Sequence, residues 1–214
     1  MIGILIWWII IIIAVSILDF AHSFMADHLG DPTPRLAGRL TLNPKAHIDP
    51  IGTVLLPLLS LLSGTGIFFG WAKPTPFDPF NLRNPKRDSA LIAFAGPISN
   101  ISLAIILSIF RNFIFIGLLG YSLIGLLEMA VQINIVLAVF NLIPIHPLDG
   151  FKVIAGLIPK KYYEDWLSLE RYGWIFLILM IVPFFGVSPI STLISPIMNF
   201  LLSFLLPSKI GGII

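Results

Sequence analysis

A chain of 214 residues in which 57% are hydrophobic and only 11% charged, with a mean hydropathy of +0.97, is excluded as a soluble globule and read as an integral membrane protein. The formal net charge of +2 gives no reason to expect a nucleic-acid partner, and the absence of cysteine excludes disulfides, thiolate metal ligands and a cysteine nucleophile. The length suits a single integral-membrane domain over 1–214, an all-α bundle of about five or six segments that lies multi-pass in the cell membrane.

From Met1 to Leu18 there is no ionisable side chain, and Trp7, Trp8 and the run Ile9–Ile13 make the stretch intensely apolar. Eighteen residues at helical rise cover about 27 Å, close to the hydrocarbon thickness of a bilayer. With no basic region before it and no small-residue cleavage site after it, the stretch is expected to be a retained anchor. Asp19 and His22 follow on one helical face at the membrane edge. Ionisable groups there are costly unless they meet a partner, a metal or water. The pair is therefore either a functional site or a helix end reaching water.

Pro32-Thr33-Pro34 ends this helix, and the loop Arg35–Pro50 is too polar for hydrocarbon. Ile51–Leu62 is short and contains Pro57, which suggests a re-entrant or broken segment. From Gly64 to Asp88 the prolines favour a short extended or β region. If Ile51–Leu62 dips in and returns, both basic loops lie on one face, which becomes cytoplasmic; if it crosses, the rule gives no orientation. Ser89–Phe110 is expected to be a membrane helix interrupted at Gly96-Pro97 and Asn100. Phe113–Ile143 is long enough for a tilted one, with Glu128 and Gln132 four apart as interhelical hydrogen-bond glue. The chain then breaks at Pro144–Gly150, runs an interfacial stretch over Lys152–Arg171, and ends in an apolar region over Gly173–Leu206 broken at Pro183–Pro189. No sequence repeat supports an inverted-repeat transporter.

Three places could carry chemistry: Leu18–His22, His47–Pro50 and His146–Gly150. A hydrolytic zinc centre needs three protein ligands, an open position for water, and a carboxylate that takes the water's proton. On a helix this is written H-E-x-x-H, because residues four apart share a face. Here His22 occupies the second histidine's place, Leu18 the first, and Asp19 that of the glutamate.

From about Ile17 to Pro159 the chain resembles the site-2 protease family of intramembrane zinc metalloproteases, in the short form without a PDZ domain. The matching blocks are Leu29-Gly30-Asp31-Pro32-Thr33-Pro34, Gly38 to Pro44, His47 to Gly52, Gly70-Trp71-Ala72-Lys73-Pro74, Asn81 to Pro85, Ala95-Gly96-Pro97 with Asn100, and Asn141 to Pro144 leading into Pro147-Leu148-Asp149-Gly150. The resemblance implies that His22 and Asp149 are zinc ligands and that Asp19 stands for the general base. It also implies a membrane-protein substrate, or a bound transmembrane helix, held within the lipid bilayer. In that setting Trp71, Lys73 and Pro74 would belong to an extended stretch that pairs with substrate backbone, and Asn100 or Asn141 would orient the scissile carbonyl.

The departures are Leu18, which cannot bind metal, Asp19, shorter than glutamate by about 1.5 Å of reach, and Phe151-Lys152 after the L-D-G motif. His146, three residues before Asp149, is the candidate replacement ligand; otherwise it caps a helix end. Asp19 could itself ligate, which would leave no base. His47 is expected to orient a loop or support a ligand. Two readings follow: an intramembrane zinc metallopeptidase, or a catalytically silent membrane-embedded binding protein that keeps the substrate groove. A proton-coupled carrier using Asp19, Glu128 and Gln132 would leave the matched loop blocks unexplained.

Overall fold

The computed structural model describes residues 2–55, 73–114, 118–183 and 187–207. These form an all-α membrane protein, and among them three helices are long and apolar enough to cross a membrane. The first is α1 (Ile2–His28); a short α2 (Thr33–Leu36) follows it. The other two long helices are α3 (Pro85–Asn112) and α4 (Leu118–Asn141). After them come α5 (Asp149–Leu157), α6 (Tyr163–Ser168), α7 (Gly173–Ile181) and α8 (Pro189–Leu205). The expected break in the last apolar region thus separates two helices.

The second long helix starts earlier than Ser89, at Pro85. Proline lacks an N–H that the first turn would leave unsatisfied anyway, so it opens a helix as readily as it breaks one. Asn84 caps it, accepting from the Arg87 N–H. No strand occurs among the described residues: 73–78 carry no regular structure, and Pro79–Asn81 form a 3-10 turn. Only Pro50–Leu55 of the expected re-entrant segment is described, as a π-type turn; the rest of it and Trp71 lie outside the described residues.

Helix α3 is the centre of the bundle, packed against α1, α4 and α5. In lipid, apolar burial does not drive helices together, so close approach through small residues carries the packing. Ala14, Ala26, Ala93, Ala104 and Ala138 are buried accordingly. A Cβ on Gly156 would come within 2.3 Å of the Ala90 Cβ, which holds α5 close to α3. Ile4, Leu5, Ile9 and Ile13 on α1, with Ile98, Ile105 and Ile109 on α3, point outward, as lipid-facing residues do. At one end of α3 the Arg111 Nε donates to Glu128 Oε1 at 2.8 Å, so Glu128 joins α3 to α4, while Gln132 is exposed.

Candidate active site

The inner face of α1 carries Leu18, Asp19, His22, Ser23 and Ala26, all buried, at the three- and four-residue spacing of one helical stripe. His22 stands six residues from the end of α1, about 9 Å along the helix. Leu18 therefore lies one turn from His22 on the same face, 7% exposed, where a first ligand would project.

Facing this stripe is Gly96-Pro97 of α3, and each residue has its own effect. Pro97 has no N–H, so the carbonyl four residues earlier, Ala93, loses its helical donor. The His22 Nε2 lies 3.3 Å from that freed oxygen. Gly96 makes the approach possible, since a Cβ there would sit 2.2 Å from the same nitrogen.

Asp149 comes from the other side. Leu148 is extended, and Asp149 occupies the first turn of α5, where a carboxylate is favoured by the helix dipole. Gly150 is wedged against the Leu142 carbonyl, which a Cβ would approach to 2.2 Å. Its neighbour's carboxylate is thereby held with Oδ2 3.2 Å from His22 Nε2. That contact is close without being aligned as a hydrogen bond, and Asp149 Oδ2 is buried with no aligned donor. Two donors sharing one tetrahedral zinc lie about 3.4 Å apart, so the spacing suits a common cation.

The third corner is different. Asp19 Oδ2 faces His47 Nδ1 at 3.5 Å, with both side chains buried, and His47 Nε2 donates to the Thr41 carbonyl at 2.8 Å. With Nε2 protonated, Nδ1 can meet a carboxylate favourably only as an imidazolium. The Asp19 carboxylate pushes the His47 pKa up against the opposing effect of burial. Asp19 thus has an internal counter-ion.

His146 does not join the pair. Its Nδ1 faces Glu170 Oε1 at 3.5 Å, its ring meets Phe151 edge-on at 5.8 Å, and Gly173 packs against its backbone. Phe151 in turn stacks on Trp166, whose Nε1 donates to the Phe151 carbonyl. Among the described residues no three His, Asp or Glu side chains are placed to hold one ion. The donors present therefore fit two positions of a zinc site, and Leu18 leaves the usual third unfilled.

Residues 73–78 run past the site as a strap. Arg39, 4% exposed, donates to the carbonyls of Ala46, Lys73 and Pro74, and the Lys73 N–H donates to the His47 carbonyl at 3.1 Å. Thr75 Oγ1 reaches the Asp19 carbonyl at 3.4 Å, and the Lys152 ammonium lies 4.6 Å from the Phe77 ring centre. Asp31 closes the strap. It is fully buried and accepts from the Asp78 N–H at 2.7 Å, the Asn81 amide at 2.8 Å and the Thr33 hydroxyl at 2.5 Å. Burial would raise its pKa, yet the Thr33, Asn81 and Asp78 donors outweigh that and hold it below the usual carboxylate range.

Lys73 and Pro74 are thus brought beside the Asp19–His47 pair. Asn100, one turn beyond Gly96, is fully buried with neither amide atom partnered, whereas Asn141 donates to the Leu137 carbonyl of its own helix. Sequence reasoning missed the Asp19–His47 pairing, the freed Ala93 carbonyl, and the roles of Asp31 and Arg39. The Gly-Pro dipeptide at 96–97 was the available signal for the second.

Residues 116–181, which include Asp149, match the profile of "Peptidase family M50". The chain is 36% identical over 180 residues to "Putative zinc metalloprotease YwhC" of Bacillus subtilis (strain 168), covering 81% of this chain and 78% of that protein. It is 26% identical over 182 residues to "Putative zinc metalloprotease Rip2" of Mycobacterium tuberculosis (strain ATCC 25618 / H37Rv), covering 82% and 68%. Over 78 residues it is 36% identical to "Zinc metalloprotease MJ0392" of Methanocaldococcus jannaschii, covering 36% of this chain and 22% of that one. No solved structure matches it.

Proposed function

This chain belongs to peptidase family M50, the site-2 proteases, and on that premise we propose that it is a multi-pass protein of the cell membrane that binds a segment of another membrane protein. In this reading it holds that segment without hydrolysing it, although its relatives are named zinc metalloproteases. The observation that carries the proposal is Leu18: an apolar side chain is buried one turn from His22, in a ligand's place, and His146 is engaged with Glu170 and Phe151.

In this reading the bound segment lies between the strap and α3. Lys73 and Pro74 offer backbone to an extended segment, Trp71 adjoins them in sequence, and the unpartnered Asn100 amide supplies donor and acceptor for a substrate peptide group. A helix that enters must unwind locally, and its freed backbone groups need such partners in a site closed to water.

A second reading, zinc-dependent hydrolysis by this copy, is favoured by one observation, the 3.2 Å spacing of His22 Nε2 and the buried Asp149 Oδ2. A single-span peptide with a central helix-breaking stretch, presented to the purified chain in lipid nanodiscs, separates the two. The expected result is capture without cleavage by the wild type, and cleavage by Leu18→His/Asp19→Glu. Zinc-dependent cleavage by the wild type would overturn the binding-protein reading.

A further inference from the structure

A cavity separate from the site opens where α1 finishes and α3 begins. It has a volume of about 400 Å³, and its lining includes His28, Gly30, Arg83, Asn84, Arg87 and Asp88. Most basic residues near this end are already engaged. Arg35 pairs with Asp27, Arg39 binds three carbonyls, and the Lys86 ammonium binds the Ile158 carbonyl. Among the described residues Arg83 and Arg87 have no side-chain partner and are exposed, four positions apart, to the same cavity. The one carboxylate in the lining, Asp88, is 7% exposed and accepts the Asn84 N–H at 2.8 Å, so it is turned into the helix cap.

Location specifies the ligand. His28 ends one membrane-length apolar helix and Pro85 starts another. Ala26, Leu82 and Ile92 pack these two ends together, which places the cavity at the boundary between hydrocarbon and water. Phospholipid phosphates lie at that boundary, and two guanidinium forks match phosphate oxygens better than ammonium groups do. We propose that this cavity binds the phosphate of an anionic phospholipid, with Arg83 and Arg87 holding its oxygens and His28 lining the lipid-proximal wall.

The test uses the full chain in a neutral detergent, with lipid binding followed by native mass spectrometry and by thermal unfolding. Phosphatidylglycerol is expected to bind and raise Tm, while phosphatidylcholine and inorganic phosphate leave Tm unchanged. Arg83→Gln/Arg87→Gln should weaken phosphatidylglycerol binding about thirtyfold without lowering the lipid-free Tm, and Lys45→Gln on the same face should leave it intact. If the double variant folds poorly, either single Gln variant gives the same reading at about fivefold. Equal binding of the two lipids, or phosphatidylglycerol binding unaffected by the arginine changes, would overturn the proposal. An equal shift from inorganic phosphate would overturn its lipid half and assign the cavity to free phosphate.

Discussion

Asp19 and His47 form a buried ion pair, and removing one partner strands the other's charge. His47→Ala should therefore lower stability by about 3 kcal/mol, read as a loss of Tm in detergent. Asp19→Asn/His47→Gln should lose much less than the sum of the two single changes. An additive cycle would show that the contact carries no coupling. Asp31 gives the pH-dependent case. Its folded pKa is depressed, so its contribution is present above the unfolded value near 4 and disappears as pH falls through the folded value. Asp31→Asn should cost about 1–3 kcal/mol at neutral pH, with proteolysis rising within residues 73–81. That difference from wild type should shrink in acid; a constant gap across pH would contradict the assignment. The Leu18, Asp19 and His22 stripe was legible from three- and four-residue spacing. The Asp19–His47 pair was not, because charge pairing across a 28-residue separation leaves no periodic trace in a sequence.

Where elements meet, Gly96-Pro97 sets how near α1 comes to α3. Gly96→Ala would press a methyl against the His22 imidazole and should cost about 1–3 kcal/mol, with the ring displaced from Asp149. Tryptophan emission would miss this local shift, whereas the His22 ring signals in an NMR spectrum of selectively labelled protein would follow it. An unchanged ring environment would count against the close approach. The three long helices were readable from composition and length, because lipid-facing and buried positions are both apolar and the run is continuous. The start of α3 was misplaced by four residues, since proline ends some helices and begins others, and only the Asn84 cap decides which. The strap of 73–78 was read as strand-like from its prolines. Its actual shape follows from side-chain anchors, Arg39 at one end and Asp31 at the other, which no local propensity encodes.

The molecule as a whole brings α1 and α5 together at one point, with Leu18 buried one turn from it. His22 and Asp149 are 127 positions apart, yet a freed carbonyl, a missing side chain and a helix start direct both to one spot. Their convergence was expected from the resemblance of many short blocks, not from either residue alone. His146, the nearest candidate to complete the set by sequence, turns instead to Glu170 and Phe151. Among the described residues two donors and a leucine stand where a catalytic zinc usually has three protein ligands, and the proposed binding function rests on that difference. Zinc content of the purified chain, measured by inductively coupled plasma mass spectrometry after dialysis against a weak chelator, tests it most directly. The expected result is far less than stoichiometric zinc in the wild type and about one ion per chain in Leu18→His/Asp19→Glu; stoichiometric zinc in the wild type, lost in His22→Ala and Asp149→Ala, would contradict the binding-protein reading.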